Sequence, residues 1–288
     1  MFSREKKFSI LAKAGTWIKS IGFVMGNPVL RKLLRAVGVY VSWILYPKGV
    51  VKNIGGDGNF LMSPEYTFYN FEEWGHGKNN GFRKLVELAK GKSVVFDIGA
   101  HIGICALPIS RVIKKGGLYY SFEPAEANRK YIVTHLKMNN IDNVIVVSIL
   151  VGDKCGNCVE FYESSSDSGM NSLCQPENKG SIYNKVVKEQ ITLDSFVAKN
   201  GCIPELIKID VEGAEIGVMR GAKNVLRKYH PEIILSIHPK HFETLGFSVV
   251  ELMEVIHDLD YQIYNIDGSR VKGELESKEY YLKQERQF

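Results

Sequence analysis

The stretch Asp97-Ile98-Gly99-Ala100-His101-Ile102-Gly103, preceded by the apolar run Ser93-Val94-Val95-Phe96, limits the fold of this chain more than any other segment. A strand runs into a carboxylate, then a turn bounded by glycines, then the apolar helix start Ile104-Cys105-Ala106. Glycines let the backbone turn tightly and approach a ligand with no Cβ in the way, and the following helix points free N–H groups and its positive dipole end at that ligand. A dinucleotide fingerprint needs G-x-G-x-x-G at this place. Here His101 stands two residues after Gly99 and the next glycine is Gly103, so NAD is disfavoured. A turn that opens with a carboxylate and offers no glycine cradle for a pyrophosphate suits a cationic, amino-acid-bearing cofactor.

Further strand tips follow. Gly117-Leu118-Tyr119-Tyr120-Ser121-Phe122-Glu123-Pro124 reads as a second strand ending in an acid, which can accept two hydrogen bonds from ribose hydroxyls. The bland alternative for Glu123 is a helix-start acid favoured by the dipole. A third strand is expected over Asn143 to Val151, closing with Gly152-Asp153, and its β-branched run predicts burial on both faces. The fourth, Leu206 to Asp210, leads through Val211-Glu212-Gly213-Ala214-Glu215 into a helix carrying Ile216, Met219, Ala222, Val225 and Leu226. The fifth, Glu232 to His238, lies between Pro231 and Pro239; a helix from Val250 to Leu259 and closing strands Tyr261–Ile266 and Tyr280–Gln284 complete the pattern. The long 154–190 segment predicts an extra hairpin, Val159–Tyr162 against Val186–Glu189, with a polar tip from Ser164 to Asn184. Insertions of this kind are where substrate selection usually resides.

These residues resemble the FkbM family of S-adenosylmethionine-dependent methyltransferases. The resemblance spans roughly residues 60 to 265 and rests on Asp97 to Gly103, Phe122-Glu123-Pro124, Thr192-Leu193-Asp194, Lys208-Ile209-Asp210-Val211-Glu212-Gly213-Ala214-Glu215, Gly221-Ala222 and His238. The family often has Glu two residues before the late histidine, where this chain has Ser236. The resemblance implies an α/β class I (Rossmann-like) methyltransferase fold, a doubly wound seven-stranded sheet of order 3-2-1-4-5-7-6 with the last strand antiparallel. It also implies S-adenosylmethionine as cofactor, and O-methylation of a hydroxyl on a sugar, glycan or secondary metabolite. Asp97, Gly99, Ala100, His101 and Gly103 are expected around its methionine part, Glu123 on its ribose and Asp153 beside its adenine. An acidic residue near the cofactor is expected from Tyr69-Asn70-Phe71-Glu72-Glu73. His101 has an ordinary alternative as a polar turn residue that tolerates an unusual backbone angle.

Methyl transfer from a sulfonium is an in-line displacement, so catalysis is alignment plus removal of the acceptor's proton. Strand alternation sends Lys208 and Asp210 to one side of the sheet. Like charge from Glu212 and Glu215 is expected to raise the Asp210 carboxyl and make it the base, with His238 second and Glu212 as an orienting contact. For Glu215 alone, the better reading is a helix-start acid.

Charge divides the chain. Residues 1–50 hold nine Lys/Arg against the single acid Glu5, a local excess of +8 within a total of +5, so the remainder carries −3. Such a catalytic part is a poor match for nucleic-acid phosphates, and the Asn/Asp-Pro-Pro-aromatic tetrapeptide of adenine methyltransferases is absent after the fourth strand. An N-terminal helical appendage is expected over residues 1–60 and the methyltransferase domain over 61–288. From Asn27-Pro28 to Pro47 a helix is expected to present Leu30, Leu33, Leu34, Val37, Val41, Ile44 and Leu45 on one face. Only residues 36–46 lack charge, too few to span a bilayer, and Lys13 and Lys19 interrupt any signal-like run. Packing on protein is favoured for this face, with peripheral adsorption of residues 1–50 to anionic lipid as the second reading and homo-oligomerisation left open. Five scattered cysteines predict reduced thiols in a cytoplasm, and the lone Cys155-x-x-Cys158 pair predicts no metal. The rival from another class is a non-catalytic scaffold of the same fold recruited to a membrane or glycan-assembly complex.

Overall fold

A computed structural model of the 288-residue chain describes residues 28–164, 171–173 and 183–285. In chain order its elements are α1 (Pro28–Leu45), β1 (Val50–Asn53), β2 (Asn59–Met62), α2 (Gly81–Ala89), β3 (Val94–Ile98), α3 (Ala106–Val112), β4 (Leu118–Phe122), α4 (Glu126–Met138), β5 (Val144–Val147), β6 (Leu150–Val151), β7 (Cys158–Ser164) and β8 (Tyr183–Ile191). There follow α5 (Leu193–Asn200), β9 (Leu206–Ile209), α6 (Glu215–Arg220), α7 (Lys223–Tyr229), β10 (Glu232–Ser236), α8 (Pro239–Thr244), α9 (Val249–Asp258), β11 (Tyr261–Tyr264) and β12 (Glu279–Gln284).

Seven strands form one sheet in the order β11-β12-β10-β9-β3-β4-β5. Counted from β3, this is the expected 3-2-1-4-5-7-6 order; β3, β4, β5, β9 and β10 pair in parallel and β12 runs antiparallel to both neighbours. The sheet is buried by apolar side chains on both faces. One face carries Phe96, Ile98, Phe122, Ile207 and Ile209 against Phe196, Ile216 and Met219. The other carries Val95, Tyr119, Leu206 and Ile234 against Leu85, Leu107 and Ile132. Strand alternation distributes each strand's side chains between the two layers, which fits the near-continuous apolar runs of the central strands.

The third strand differs from its expectation. The 143–151 run splits at Ser148-Ile149: Val144–Val147 becomes the sheet edge, with Ile145 39% exposed, while Leu150-Val151 leaves to pair with β8 in a separate three-stranded sheet. β-branched composition favours a strand without deciding between a centre and an edge. The expected hairpin is present, with Val159 opposite Lys188 and Phe161 opposite Val186; most of its polar tip lies outside the described residues. The fourth-strand helix is two helices, α6 and α7, parted at Gly221, where a Cβ would stand 1.9 Å from the carbonyl oxygen of Gly152.

The hairpin β1–β2, joined through Gly55-Gly56-Asp57-Gly58, straddles the expected 60/61 boundary, and its Val50, Ile54, Phe60 and Met62 belong to the same core as β3 and α3. Helix α1 packs against the turn at Pro64–Tyr66. The side turned inward holds Ser42 with half-buried Leu34, Val41 and Leu45, whereas Leu33, Val37 and Ile44 are exposed. The broad face expected to pack therefore divides, because a narrow contact needs only part of an apolar helix surface. Residues 1–27, with the Asn27 cap, Lys13 and Lys19, lie outside the described residues, as does much of the basic segment assigned to lipid. No helix among the described residues is long and apolar enough to cross a membrane.

Candidate active site

The carboxyl ends of β3 and β4 meet at the glycine-bounded turn. Gly99, at φ +87°, has no room for a side chain: a Cβ would lie 1.9 Å from the carbonyl oxygen of Asp210, so the ends of the first and fourth strands press backbone to backbone. Gly103, at φ +81°, serves a different contact. Its missing Cβ would meet Ile132 of α4 at 3.2 Å, and Gly103 borders neither of the two cavities described below. Asp97 also turns away from the ligand space. Its Oδ2 accepts from the Tyr119 hydroxyl at 2.7 Å and its Oδ1 from the Lys208 ammonium at 3.1 Å, leaving the residue 1% exposed. The expected contact of Asp97 with the methionine part is thus replaced by a buried ion pair. Lys208 also donates to the carbonyl of Gly99 at 3.2 Å, so Asp97 shapes the turn through it.

Glu123 closes β4 as a buried carboxylate. Its Oε2 accepts from the backbone N–H of His101 at 2.8 Å, its Oε1 from that of Ala125 at 2.9 Å, and the side chain of Asn128 bonds it as well. Burial nonetheless pushes its pKa up to about 7. His101 adopts φ +51° and its ring borders ligand space; the turn angle and the exposure to that space coexist. Burial first and Lys208 second lower its pKa to about 4, and Nε2 is closed to solvent with no hydrogen-bond partner.

Two cavities open here. One is bordered by Ile98, Phe122, Glu123, Asn128 and Val151, the other by Trp74, Phe82, Lys208, Ser236, His238 and Glu279. Gly99, His101, Asp210 and Glu212 border both. Ala100 lies on the second side only. A ligand in the first cavity and one in the second meet across this shared wall.

Beyond the wall, the tips of β9 and β10 gather charge. Lys208 sits 3.4 Å from Asp210 Oδ2, while His238 Nε2 is 3.7 Å from Asp210 Oδ1 and 3.8 Å from Glu212 Oε1. His238 Nδ1 is 2.7 Å from Glu215 Oε1, and His241 Nδ1 is 3.3 Å from Glu212 Oε2. Glu212 holds φ +52°, an angle uncommon outside glycine. Burial opposes the charge on Asp210, but Lys208 and then His238 outweigh it and hold the carboxyl below its ordinary range. The expected rise is therefore reversed, because the like charges face an ammonium and an imidazolium. Glu212 takes the rise instead, pushed to about 7 by burial with Asp210 and Glu215 adding to it. His238 is a second correction. Burial lowers its pKa, yet the bond to Glu215 and the charges of Glu212 and Asp210 carry it to about 9, so at neutral pH it holds a proton and is not a free base.

Asp153 lines neither cavity. It is exposed on the segment that departs with β6, beside the Gly217 turn of α6, so the adenine contact expected of it has no support in its position. Glu72 and Glu73 are exposed and border neither cavity, whereas the adjoining Trp74 borders the second. Sequence reasoning underrated Glu215, which is fully buried and bonded to His238 rather than a simple helix-start acid. It missed the site positions of Lys208 and Glu279: alternation placed Lys208 beside Asp210, but nothing along the chain signals Glu279 at the start of β12.

This sheet order, with a glycine turn at the first strand, a buried acid at the second and ligand space at the carboxyl ends, defines a class I methyltransferase. The residues present fit S-adenosylmethionine: Glu123 keeps lone pairs for hydroxyls beyond its two N–H bonds, and the neutral His101 ring leaves a nitrogen unfilled beside Gly99. The chain belongs to the FkbM methyltransferase family, whose domain model matches residues 97–263. Similar solved structures include the methyltransferase FkbM of Methylobacillus flagellatus KT, at 16% identity and a TM-score of 0.44, covering 76% of this chain and 54% of that one. This chain thus spans about half the length of that relative. The putative methyltransferase SMU.1697c of Streptococcus mutans, solved with SAH, is 9% identical with a TM-score of 0.41, covering 71% and 94% of the two chains. The O-methyltransferase of Bacillus cereus, also solved with SAH, is 12% identical with a TM-score of 0.41, covering 71% and 79%. No protein of curated function matches the chain in sequence. As a member of this family, the chain carries the family's methyltransferase domain.

Proposed function

We propose that the chain methylates a hydroxyl of a polyhydroxylated acceptor, a sugar or glycan or a hydroxylated secondary metabolite. The observation that carries this is the second cavity. Its lining includes the acidic residues Asp210, Glu212 and Glu279, Ser236 and His238 together with the aromatic residues Trp74 and Phe82. Hydrogen-bonding groups together with aromatic rings suit a ring compound with many hydroxyls, and a wall so acidic suits a neutral or cationic acceptor better than a phosphorylated one.

When bound, S-adenosylmethionine supplies the electrophilic methyl group. Glu123, Asn128, Gly99 and His101 are the residues placed to hold it in the first cavity. Glu123 would accept hydroxyl hydrogens, and the close backbone packing at Gly99 keeps the shared wall thin. The coupled Asp210–Glu212–His238 group orients the acceptor hydroxyl and takes its proton as a unit, since interacting sites titrate together. A non-catalytic scaffold would have no use for this concentration of charge at the wall.

The test is incubation of the full chain with labelled S-adenosylmethionine and a panel of free sugars, oligosaccharides and hydroxylated macrolides. Label transferred to a hydroxyl oxygen of one class supports the reading. Label entering only amines or carboxylates removes it.

A further inference from the structure

We propose that Asp210, Glu212 and His238 form a binding site for one divalent first-row transition ion in the acceptor cavity. The three side chains offer Asp210 Oδ1, Glu212 Oε1 and His238 Nε2, all within 4.8 Å of one another. The two nitrogen–oxygen separations, 3.7 and 3.8 Å, are only a few tenths of an ångström wider than the about 3.4 Å that a tetrahedral set with bonds near 2.1 Å requires. A side-chain adjustment of that size closes them.

The convergence is supported from behind. Each of the three donors has its other polar atom beside a different residue: His238 Nδ1 bonds Glu215 at 2.7 Å, Asp210 Oδ2 lies 3.4 Å from the Lys208 ammonium, and Glu212 Oε2 lies at ion-pair distance from His241, 3.3 Å. A ligating histidine whose remote nitrogen meets a carboxylate is the usual way a protein fixes the ring for a metal. Glu215 is fully buried, so this positioning residue does not swing away to solvent.

One nitrogen and two carboxylate oxygens suit Mn²⁺ or Zn²⁺ better than Ca²⁺, which takes oxygen ligands only. Three protein donors leave coordination positions open toward the cavity. A cation there would polarise an acceptor hydroxyl and lower its pKa. This inference rests on the hydroxyl-methylation reading for its purpose, but ion binding is measurable without an acceptor.

The experiment uses the full chain freed of metal by chelation and titrated with Mn²⁺ alone, followed by electron paramagnetic resonance. One ion per chain, showing the electron–nuclear coupling of one or two imidazole nitrogens, is the expected result. Asp210→Asn and His238→Gln are expected to weaken it at least about tenfold, and Glu215→Gln about 10- to 100-fold, while Glu72→Gln, at an exposed position outside both cavities, leaves it unchanged. S-adenosylhomocysteine affinity, measured by calorimetry on the same samples, reports whether each variant is folded. No stoichiometric Mn²⁺ signal in the parent, a signal without nitrogen coupling, or undiminished binding in variants that still take S-adenosylhomocysteine overturns the proposal. Should a variant fail to fold, the nitrogen coupling in the parent decides. Loss of the metal site alone leaves the methyltransferase reading standing, whereas a metal-loaded chain that labels no hydroxyl sinks the acceptor reading and not the site.

Discussion

The acids at the ends of β3 and β4 and those that follow β9 lie along the same carboxyl edge of one sheet, yet they are satisfied in different ways. Asp97 and Glu123 are held by a tyrosine hydroxyl, an ammonium and backbone N–H groups, partners that belong to the scaffold. Asp210 shares the same Lys208 ammonium, but it, Glu212 and Glu215 also face the imidazoles of His238 and His241, groups that titrate near neutrality as a class. Partners from the scaffold fix a carboxylate in place for a ligand of constant shape. Partners that titrate leave charge free to redistribute, which is what a step that moves a proton requires.

The sharpest way to break this comparison is Asp210→Asn. Single-turnover methyl transfer at saturating cofactor is expected to fall about 100-fold or more, while cofactor affinity stays within about threefold. A rate within a fewfold of the parent would mean that the β9 and β10 tips do not carry the chemistry. The mirror experiment is Glu123→Ala, read by calorimetry. Removing a carboxylate that accepts ribose hydroxyls is expected to weaken S-adenosylmethionine binding about 10- to 100-fold, and undiminished affinity would strip the β4 tip of its cofactor role.

A third test asks what the buried Glu123 costs the ligand-free protein. A free glutamate carboxyl ionises near 4.5, and burial pushes that of Glu123 up to about 7 in the fold. Between those values the folded state keeps a proton that the unfolded chain has released, so stability falls as pH rises from about 4.5 through about 7, by on the order of 2 kcal/mol. Glu123→Gln should lessen that decline in chemical denaturation at pH 5 and pH 8, leaving the part due to Glu212, whose carboxyl is also pushed up to about 7, even as it weakens cofactor binding. An identical pH dependence in parent and variant would place the ionisation elsewhere. The smallest effect is expected of Asp153→Ala, for which cofactor affinity stays within about twofold because the residue is exposed and outside both cavities; a tenfold loss would show that the 152–154 segment closes over the adenine.

The legible part of the site is the part built from neighbours in sequence. Gly99 and Glu123 stand where the turn and strand-tip motifs put them, and the Lys208-x-Asp210 alternation puts those two side chains on one side. The illegible part comes from distant segments. Glu215 reads locally as a helix-start acid, and only the return of β10 beside β9 brings His238 to it, 23 residues later. The direction of each pKa shift was illegible for the same reason. Like charge around Asp210 was visible in the motif, but the Lys208 ammonium turned toward it and the protonated imidazole across from it reverse the sign.

The sequence by itself determined the alternation of strands and crossover helices that winds a parallel sheet, through apolar runs and glycine turns, and its resemblance to the FkbM family supplied the strand order. It also determined the class of cofactor, since the turn after β3 lacks a pyrophosphate cradle. The tertiary structure alone decided that the 143–151 run would break into an edge strand and a strand of another sheet, that Asp97 would be spent on Tyr119 and Lys208, and that three donor atoms from β9, its following turn and β10 would face one another. Backbone conformation is set by neighbours a few residues apart, whereas the environment of a charge is set by everything within a few ångströms, and most of that comes from elsewhere in the chain.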